Sequence, residues 1–198
     1  MPFDFRPHFE HAVPYDELLR QHAKDHGRAR WQAMYDQAHL TPEQRSLLAG
    51  FQRHMPVLCL TGVWCGDCVN ACPVFQRIAE ASPRIDLRFV HRAMHFDGTV
   101  TDPETELAAE LSICGGYRVP VLVFLSEDGY ECERFGERTL ATYRDKAVKM
   151  QGASCPIGGA LPTDLVAANV QEWVDHFERI QLMLLTSPRL MQRHAQHR

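Results

Sequence analysis

Seven cysteines fall at positions 59, 65, 68, 72, 114, 132 and 155, and three of them crowd into the stretch from Cys65 to Cys72. Cys65-Gly66-Asp67-Cys68 is a Cys-x-x-Cys unit. A short apolar run of β-forming residues, Pro56 to Val63, leads into it, and a helix-patterned stretch, Val69 to Ala81, follows. The first cysteine therefore lies near a helix N-terminus, where unpaired backbone N–H groups and the positive end of the helix dipole favour a thiolate. Thiolates are the attacking species in disulfide exchange. The spacing also lets the second sulfur close a small-ring disulfide with the first. Cys65 is the expected nucleophile, Cys68 the more buried resolving thiol, and Trp64 an apolar lip beside them.

The same residues invite a metal reading. Cys65, Cys68 and Cys72-Pro73 match the tail of a ferredoxin-like Cys-x2-Cys-x3-Cys-Pro run, and His91 and His95 have a His-x3-His spacing. The run lacks its leading cysteine, and a strand and a helix fill the 22 residues between Cys68 and His91. No metal is assigned on that spacing. Cys72 follows Cys68 by one helical turn on the same face, which suits core packing. Cys59, on the preceding strand, is read the same way, and both are candidate modulators of the pair. Cys114 lies six residues before Pro120; Cys132 sits on a strand and Cys155 in a loop, and neither shows a partner.

Other elements must position this pair. The chain has 198 residues, 45% of them apolar and 23% charged, enough for a substantial core and too apolar for general disorder. A net charge of −4 supplies no basic excess for nucleic acid. Apolar runs such as Leu182 to Leu185 are far too short to span a bilayer. The opening residues, Met1 to Pro7, contain no apolar leader, so the expected setting is the reducing cytoplasm, where clustered cysteines point to redox chemistry.

Residues 1–54 read as helical, with faces at Tyr15, Leu18, Leu19 and His22 and at Trp31, Met34, Tyr35 and Ala38, a break at Gly27, and a capping box at Thr41-Pro42-Glu43-Gln44. The pairs His8/His11 and His22/His26 read as solvated. Residues 55–136 read β-α-β-α-β-β, with strands at Ile85 to Val90, Val119 to Leu125 and Tyr130 to Phe135 and a helix from Pro103 to Ile113. His91 falls at a strand end. Residues 137–198 return to helix, with Leu140, Tyr143, Ala147 and Met150 on one face and Val166, Val170, Trp173, Phe177 and Ile180 on another; Pro188 is expected to stop this long helix and the basic tail to Arg198 to fray. Trp31 and Trp173 are expected core anchors. A helix between the first two strands suggests a parallel crossover and the final turn an antiparallel hairpin, giving a mixed α/β sheet with helices on its faces.

Trp64-Cys65-Gly66-Asp67-Cys68 after a buried strand, with Pro73 five residues beyond, resembles the active-site helix of the thioredoxin family. Gly116-Tyr117-Arg118-Val119-Pro120 before an apolar strand resembles that family's cis-proline loop, and Phe124 to Gly136 its terminal hairpin. The resemblance covers roughly Pro56 to Gly136. It implies a thioredoxin-like three-layer α/β fold with N- and C-terminal helical extensions. It also implies a cis Pro120, and a client groove formed by Trp64, Gly66, Asp67, Val119 and Pro120, with Val119 offering its backbone to a client chain.

The activity it implies is thiol–disulfide exchange on disulfide-bearing proteins or low-molecular-weight disulfides. The dithiol is recharged by a reductase or a small thiol, and no bound cofactor is needed. Two residues depart from the family pattern. Cys59 stands where thioredoxins carry a buried acid, and Asp67 stands where they carry proline, so its charge is expected to disfavour the Cys65 thiolate. The alternative is an interaction or redox-sensing module without turnover, which the missing acid favours.

Overall fold

The computed structural model describes residues 2–94, 103–152 and 161–196; His95, Cys155 and most of the Gly/Pro stretch at 151–162 lie outside the described residues. The N-terminal region forms α1 (Arg6–His11), α2 (Tyr15–His22), α3 (Asp25–Gln37) and α4 (Pro42–Ala49). The break between α2 and α3 falls at Ala23-Lys24, not at Gly27, which lies inside α3. Lys24 takes the extended backbone of an N-cap, and Asp25 places an acidic group in the first turn, where the helix dipole favours it. The capping box at Thr41 and Gln44 forms as predicted.

β1 (Met55–Thr61) is buried at every residue and stands inside the sheet. It leads into α5 (Gly66–Glu80), then β2 (Ile85–His91), α6 (Pro103–Glu110), β3 (Val121–Leu125) and β4 (Glu131–Gly136). The sheet order is β2-β1-β3-β4, with β1 parallel to β2 and antiparallel to β3, and β3 antiparallel to β4. This is the mixed α/β sheet expected from the sequence. Helices flank it: α5 packs against α3, β2 and the C-terminal helix α8 (Leu165–Thr186), while α1 packs against β1, β2 and α6. Val13 forms a two-bond antiparallel bridge to Phe89, covering part of the β2 edge, so the N-terminal segment is built into the core.

The C-terminal part departs from expectation in two places. Helix α7 (Leu140–Gln151) buries no residue, and Leu140, Tyr143 and Met150 are exposed. Its start is docked by polar contacts instead: Thr139 caps it and donates to Asn169, and the Leu140 N–H donates to Glu172. The long helix stops before Pro188 as expected, but the tail beyond it does not fray. Helix α8 stops at Thr186, and Pro188 opens α9 (Pro188–Gln196), as its fixed φ and missing N–H permit at a first helical position; Leu190 is fully buried there. Helix α8 supplies the deepest stripe, with Val170, Trp173, Val174, Phe177, Ile180 and Leu184 all buried. Its Gln181 amide accepts from the N–H groups of Gln52 and Arg53, tying α8 to the approach of β1.

Among the described residues no helix is long and apolar enough to cross a membrane.

Candidate active site

The end of β1 delivers the chain through Gly62-Val63-Trp64 to Cys65, which is the N-cap of α5. Two contacts fix this approach. The indole of Trp31 in α3 donates to the Val63 carbonyl at 3.2 Å, so the N-terminal helices hold the loop that carries the first thiol. The Trp64 ring lies over Gly62, where a Cβ would come within 2.7 Å of the indole, so this packing requires glycine. The Trp64 Nε1–H donates to the carbonyl of Arg92 at 3.0 Å, and the Arg92 guanidinium stands 5.0 Å from the same ring.

Cys65 is partly exposed and Cys68 fully buried, and both are free thiols. The Cys65 thiol donates to the carbonyl of Val119 at 3.5 Å. The Val119–Pro120 peptide is cis, as the resemblance implies. Val119 and Pro120 are themselves buried, Gly66 is exposed, and Trp64 and Asp67 are intermediate. The loop is braced by β4: a Cβ on Gly136 would sit 2.7 Å from the Pro120 carbonyl oxygen, so no larger residue fits without moving it. Behind Cys65, the Gly62 N–H donates to Cys68 Sγ at 3.3 Å.

Asp67 behaves differently from the expectation. Its carboxylate is paired with Arg138, whose Nε donates at 2.9 Å, so the negative charge beside Cys65 is matched. Arg138 also pairs with the buried Glu137, which accepts from Arg118 and from the Tyr143 hydroxyl. One polar network thus joins the start of α5, the end of β4 and the residue before Val119. It is buried enough that removing one partner is expected to be costly.

The electrostatics of the thiols follow from burial. The Cys68 side chain and then burial push the Cys65 thiol up, while the backbone N–H groups of Cys68 and Asp67 favour its thiolate. Burial pushes Cys68 up as well, eased by Cys65 and Thr61. The helix N-terminus alone therefore does not set the acidity of Cys65, and the opposing push comes from its sulfur neighbour and burial. Because a raised thiol carries little thiolate near neutrality, alkylation of Cys65 in the reduced protein is expected to climb about tenfold per pH unit between about pH 7 and pH 9. A plateau of the rate near neutral pH would show a depressed thiol and contradict this account.

Cys59 does not stand against Cys68. Its sulfur faces Cys72 at 3.9 Å, and the hydroxyl of Thr61 lies 3.2 Å from the Cys72 sulfur and also bears on Cys68. Thr61, Arg92, Arg118, Glu137 and Arg138 were not marked by sequence reasoning. Arg118 and the Glu137-Arg138 pair do adjoin two recognised landmarks, Val119-Pro120 and Gly136. Cys114 is exposed in the tight turn before the cis-proline loop, with φ +52°, and Cys132 is partly buried on β4.

The histidines form a separate region. His22 stacks on His91 with ring centroids 4.0 Å apart, so the first is not simply solvated, and burial holds His91 down at about 4. Both line a cleft of about 890 Å³ with His8 and His11 that contains none of the thiols. Among the described residues no three His, Cys, Asp or Glu side chains converge as a metal-ligand set.

A strand running into a dithiol at a helix N-terminus, faced by a cis-proline loop and a closing hairpin, defines a thioredoxin-like protein. The family model described as thioredoxin matches residues 14–143, and the chain belongs to that family. The match starts well before Pro56, so the N-terminal helices from α2 onward fall within it. Among solved structures, a Pseudomonas aeruginosa protein of unknown function is similar at 17% identity and a TM-score of 0.60, over 93% of this chain and 98% of that one. An HIV epitope-scaffold is similar at 14% identity and a TM-score of 0.61, over 86% of this chain and 98% of that one. At such identities both show the fold alone. No curated protein matches the chain significantly.

Proposed function

We propose that the protein is a thiol–disulfide oxidoreductase working through Cys65 and Cys68. The observation that best supports this is the placing of the Cys65 thiol at the N-cap of α5, 3.5 Å from the carbonyl before the cis-proline, with Cys68 buried behind it. In this reading the Cys65 thiolate attacks one sulfur of a client disulfide and the other leaves as a thiolate. Cys68 then attacks Cys65 Sγ, closing the Cys65–Cys68 disulfide and releasing the client as a dithiol. Two electrons pass to the client. Trp64, Gly66, Asp67, Val119 and Pro120 border the client's position, and a protein client adds its backbone beside Val119.

The partners are disulfide-containing proteins or small disulfides, with a reductase or a low-molecular-weight thiol as electron donor. In a reducing cytoplasm the exchange runs toward reduction of the client. A net charge of −4 gives no reason to add nucleic acid to the partners.

The upward push on the Cys65 thiol favours one second reading, a redox-sensing or docking module without turnover. Titration in defined thiol/disulfide buffers, with each cysteine mapped by differential alkylation, tests the first. Cys65 and Cys68 are expected to interconvert as one two-electron couple with a midpoint between roughly −180 and −270 mV. A pair that never closes overturns the oxidoreductase reading.

A further inference from the structure

The sulfurs of this protein do not stop at Cys68. Cys59 and Thr61 lie two apart on β1 and so share one face of the strand. Cys68 and Cys72 lie four apart on α5 and share one face of the helix. The two faces meet. Cys65 bears on Cys68, Cys68 on Cys72 and Thr61, and Cys72 on Cys59, whose sulfur is 3.9 Å away. Cys59, Cys68 and Cys72 are fully buried. The chain of contacts therefore has a single partly exposed end, Cys65, and a closed end, Cys59.

We propose that Cys59 and Cys72 form a second, buried redox couple, oxidised from inside the protein by the Cys65–Cys68 disulfide. The proposal rests on the reading of Cys65 and Cys68 as a redox couple. In the first step the Cys72 thiolate attacks Cys68 Sγ, the Cys65–Cys68 bond breaks, and Cys65 leaves as a thiolate that takes up the proton Cys72 lost. In the second step the Cys59 thiolate attacks Cys72 Sγ, and Cys68 leaves and is protonated in turn. The products are a Cys59–Cys72 disulfide and a renewed Cys65/Cys68 dithiol. Two electrons have moved outward, and no external reagent is needed.

The geometry suits this pair better than a bridge from Cys59 to Cys68. Nothing separates the Cys59 and Cys72 sulfurs, and they must close from 3.9 Å to about 2.05 Å, while Thr61 stands beside the sulfurs of the helix. Burial also decides the rate. It pushes the thiols of Cys59 and Cys72 up, which leaves little thiolate to attack. The second couple therefore closes under sustained oxidation rather than in each turnover. A fully reduced molecule stores electrons for two client disulfides, the second set being released slowly.

The test follows thiols in the full-length reduced protein held in excess oxidised glutathione, with samples acid-quenched, denatured and labelled with a maleimide. Cleavage at Arg53 and Arg77 places all four cysteines in one peptide, residues 54–77, whose linkage is read by fragmentation. Labelling of Cys65 and Cys68 is expected to vanish first. Labelling of Cys59 and Cys72 is then expected to vanish roughly tenfold or more slowly, with a Cys59–Cys72 linkage appearing. Full labelling of Cys59 and Cys72 long after the outer pair has closed overturns the proposal and leaves the outer couple standing. Failure of both pairs to close overturns both readings. In Cys68→Ser the slow phase is expected to disappear, and a Cys59–Cys72 linkage forming there at the wild-type rate overturns the internal route. In Cys59→Ala the fast phase alone is expected to remain.

Discussion

Cys68→Ser is expected to release one equivalent of leaving thiol from a disulfide reporter and then stop, held as a covalent adduct that dithiothreitol reverses. Cys65→Ser is expected to lose turnover by roughly a thousandfold or more, because a hydroxyl replaces the attacking thiolate and the sulfurs behind it, Cys68, Cys72 and Cys59, are fully buried. The asymmetry follows from position. Cys65 is partly exposed at the N-cap and touches the Val119 carbonyl, while Cys68 is fully buried beneath it and accepts from the Gly62 N–H. Cys68 is therefore placed to meet Cys65 but not a client, and in the proposed mechanism it acts only after a mixed disulfide has formed. Non-reducing gels and mass spectrometry of the Cys68→Ser adduct check the assignment. Multiple turnovers by Cys68→Ser would remove Cys68 from the resolver's place, and normal rates in Cys65→Ser would remove Cys65 from the nucleophile's. Partner binding that survives Cys65→Ser without turnover in the wild type would favour the docking module.

What could be read from the chain was local. β1, α5 and the capping box at Thr41 rest on residues within a few positions of one another, and each forms within a few residues of its expected place. The cis peptide at Pro120 was implied by the resemblance of a short motif to the thioredoxin family's loop, and it too is present. The misplaced features are those decided at longer range. An apolar periodicity over Leu140 to Met150 signalled a buried face, but α7 buries none of its side chains among the described residues, and its start is docked by polar side chains. Gly27 suggested a break because glycine weakens helices, yet α3 is held by the buried Trp31 and Met34, and packing outweighs a propensity difference of about 1 kcal/mol.

The candidate site shows the same division. The thiols were legible as a spacing, while the charges around them were not. Arg138 reaches Asp67 across 71 positions of sequence, and Arg118 reaches Glu137 across 19. Asp67 considered alone is a negative charge beside a nucleophile; in the fold it is one end of a paired network that fixes the cis-proline loop against α5. Likewise Cys59 was identified as the residue in place of an acid, but only the packing of β1 on α5 shows that it faces Cys72 rather than Cys68.

Trp173→Ala is expected to cost about 3–5 kcal/mol, a large share of the roughly 5–15 kcal/mol that stabilises a typical domain. Trp173 is 2% exposed and stands edge-on to two rings, Phe75 of α5 at 4.6 Å and Phe135 of β4 at 5.1 Å. Truncation leaves a hole between α8, α5 and the sheet that three rigid elements cannot collapse to fill. For a protein of this length the loss corresponds to a fall in melting temperature of about 6–20 °C. Leu182→Ala, on the exposed side of the same helix, is expected to stay within about 0.5 kcal/mol of wild type. The chemistry should respond differently from the stability. The start of α5 is fixed at its own end by hydrogen bonds of Trp31 to Val63, Arg138 to Asp67 and Gly62 to Cys68, and none of the three uses Trp173. Below its melting transition Trp173→Ala should therefore exchange disulfides within a few-fold of the wild-type rate. Chemical denaturation and a turnover assay on the same sample read both quantities. A loss under about 1 kcal/mol would make α8 an appendage, and a collapse of turnover in the folded variant would mean that the far side of α5 positions the thiols.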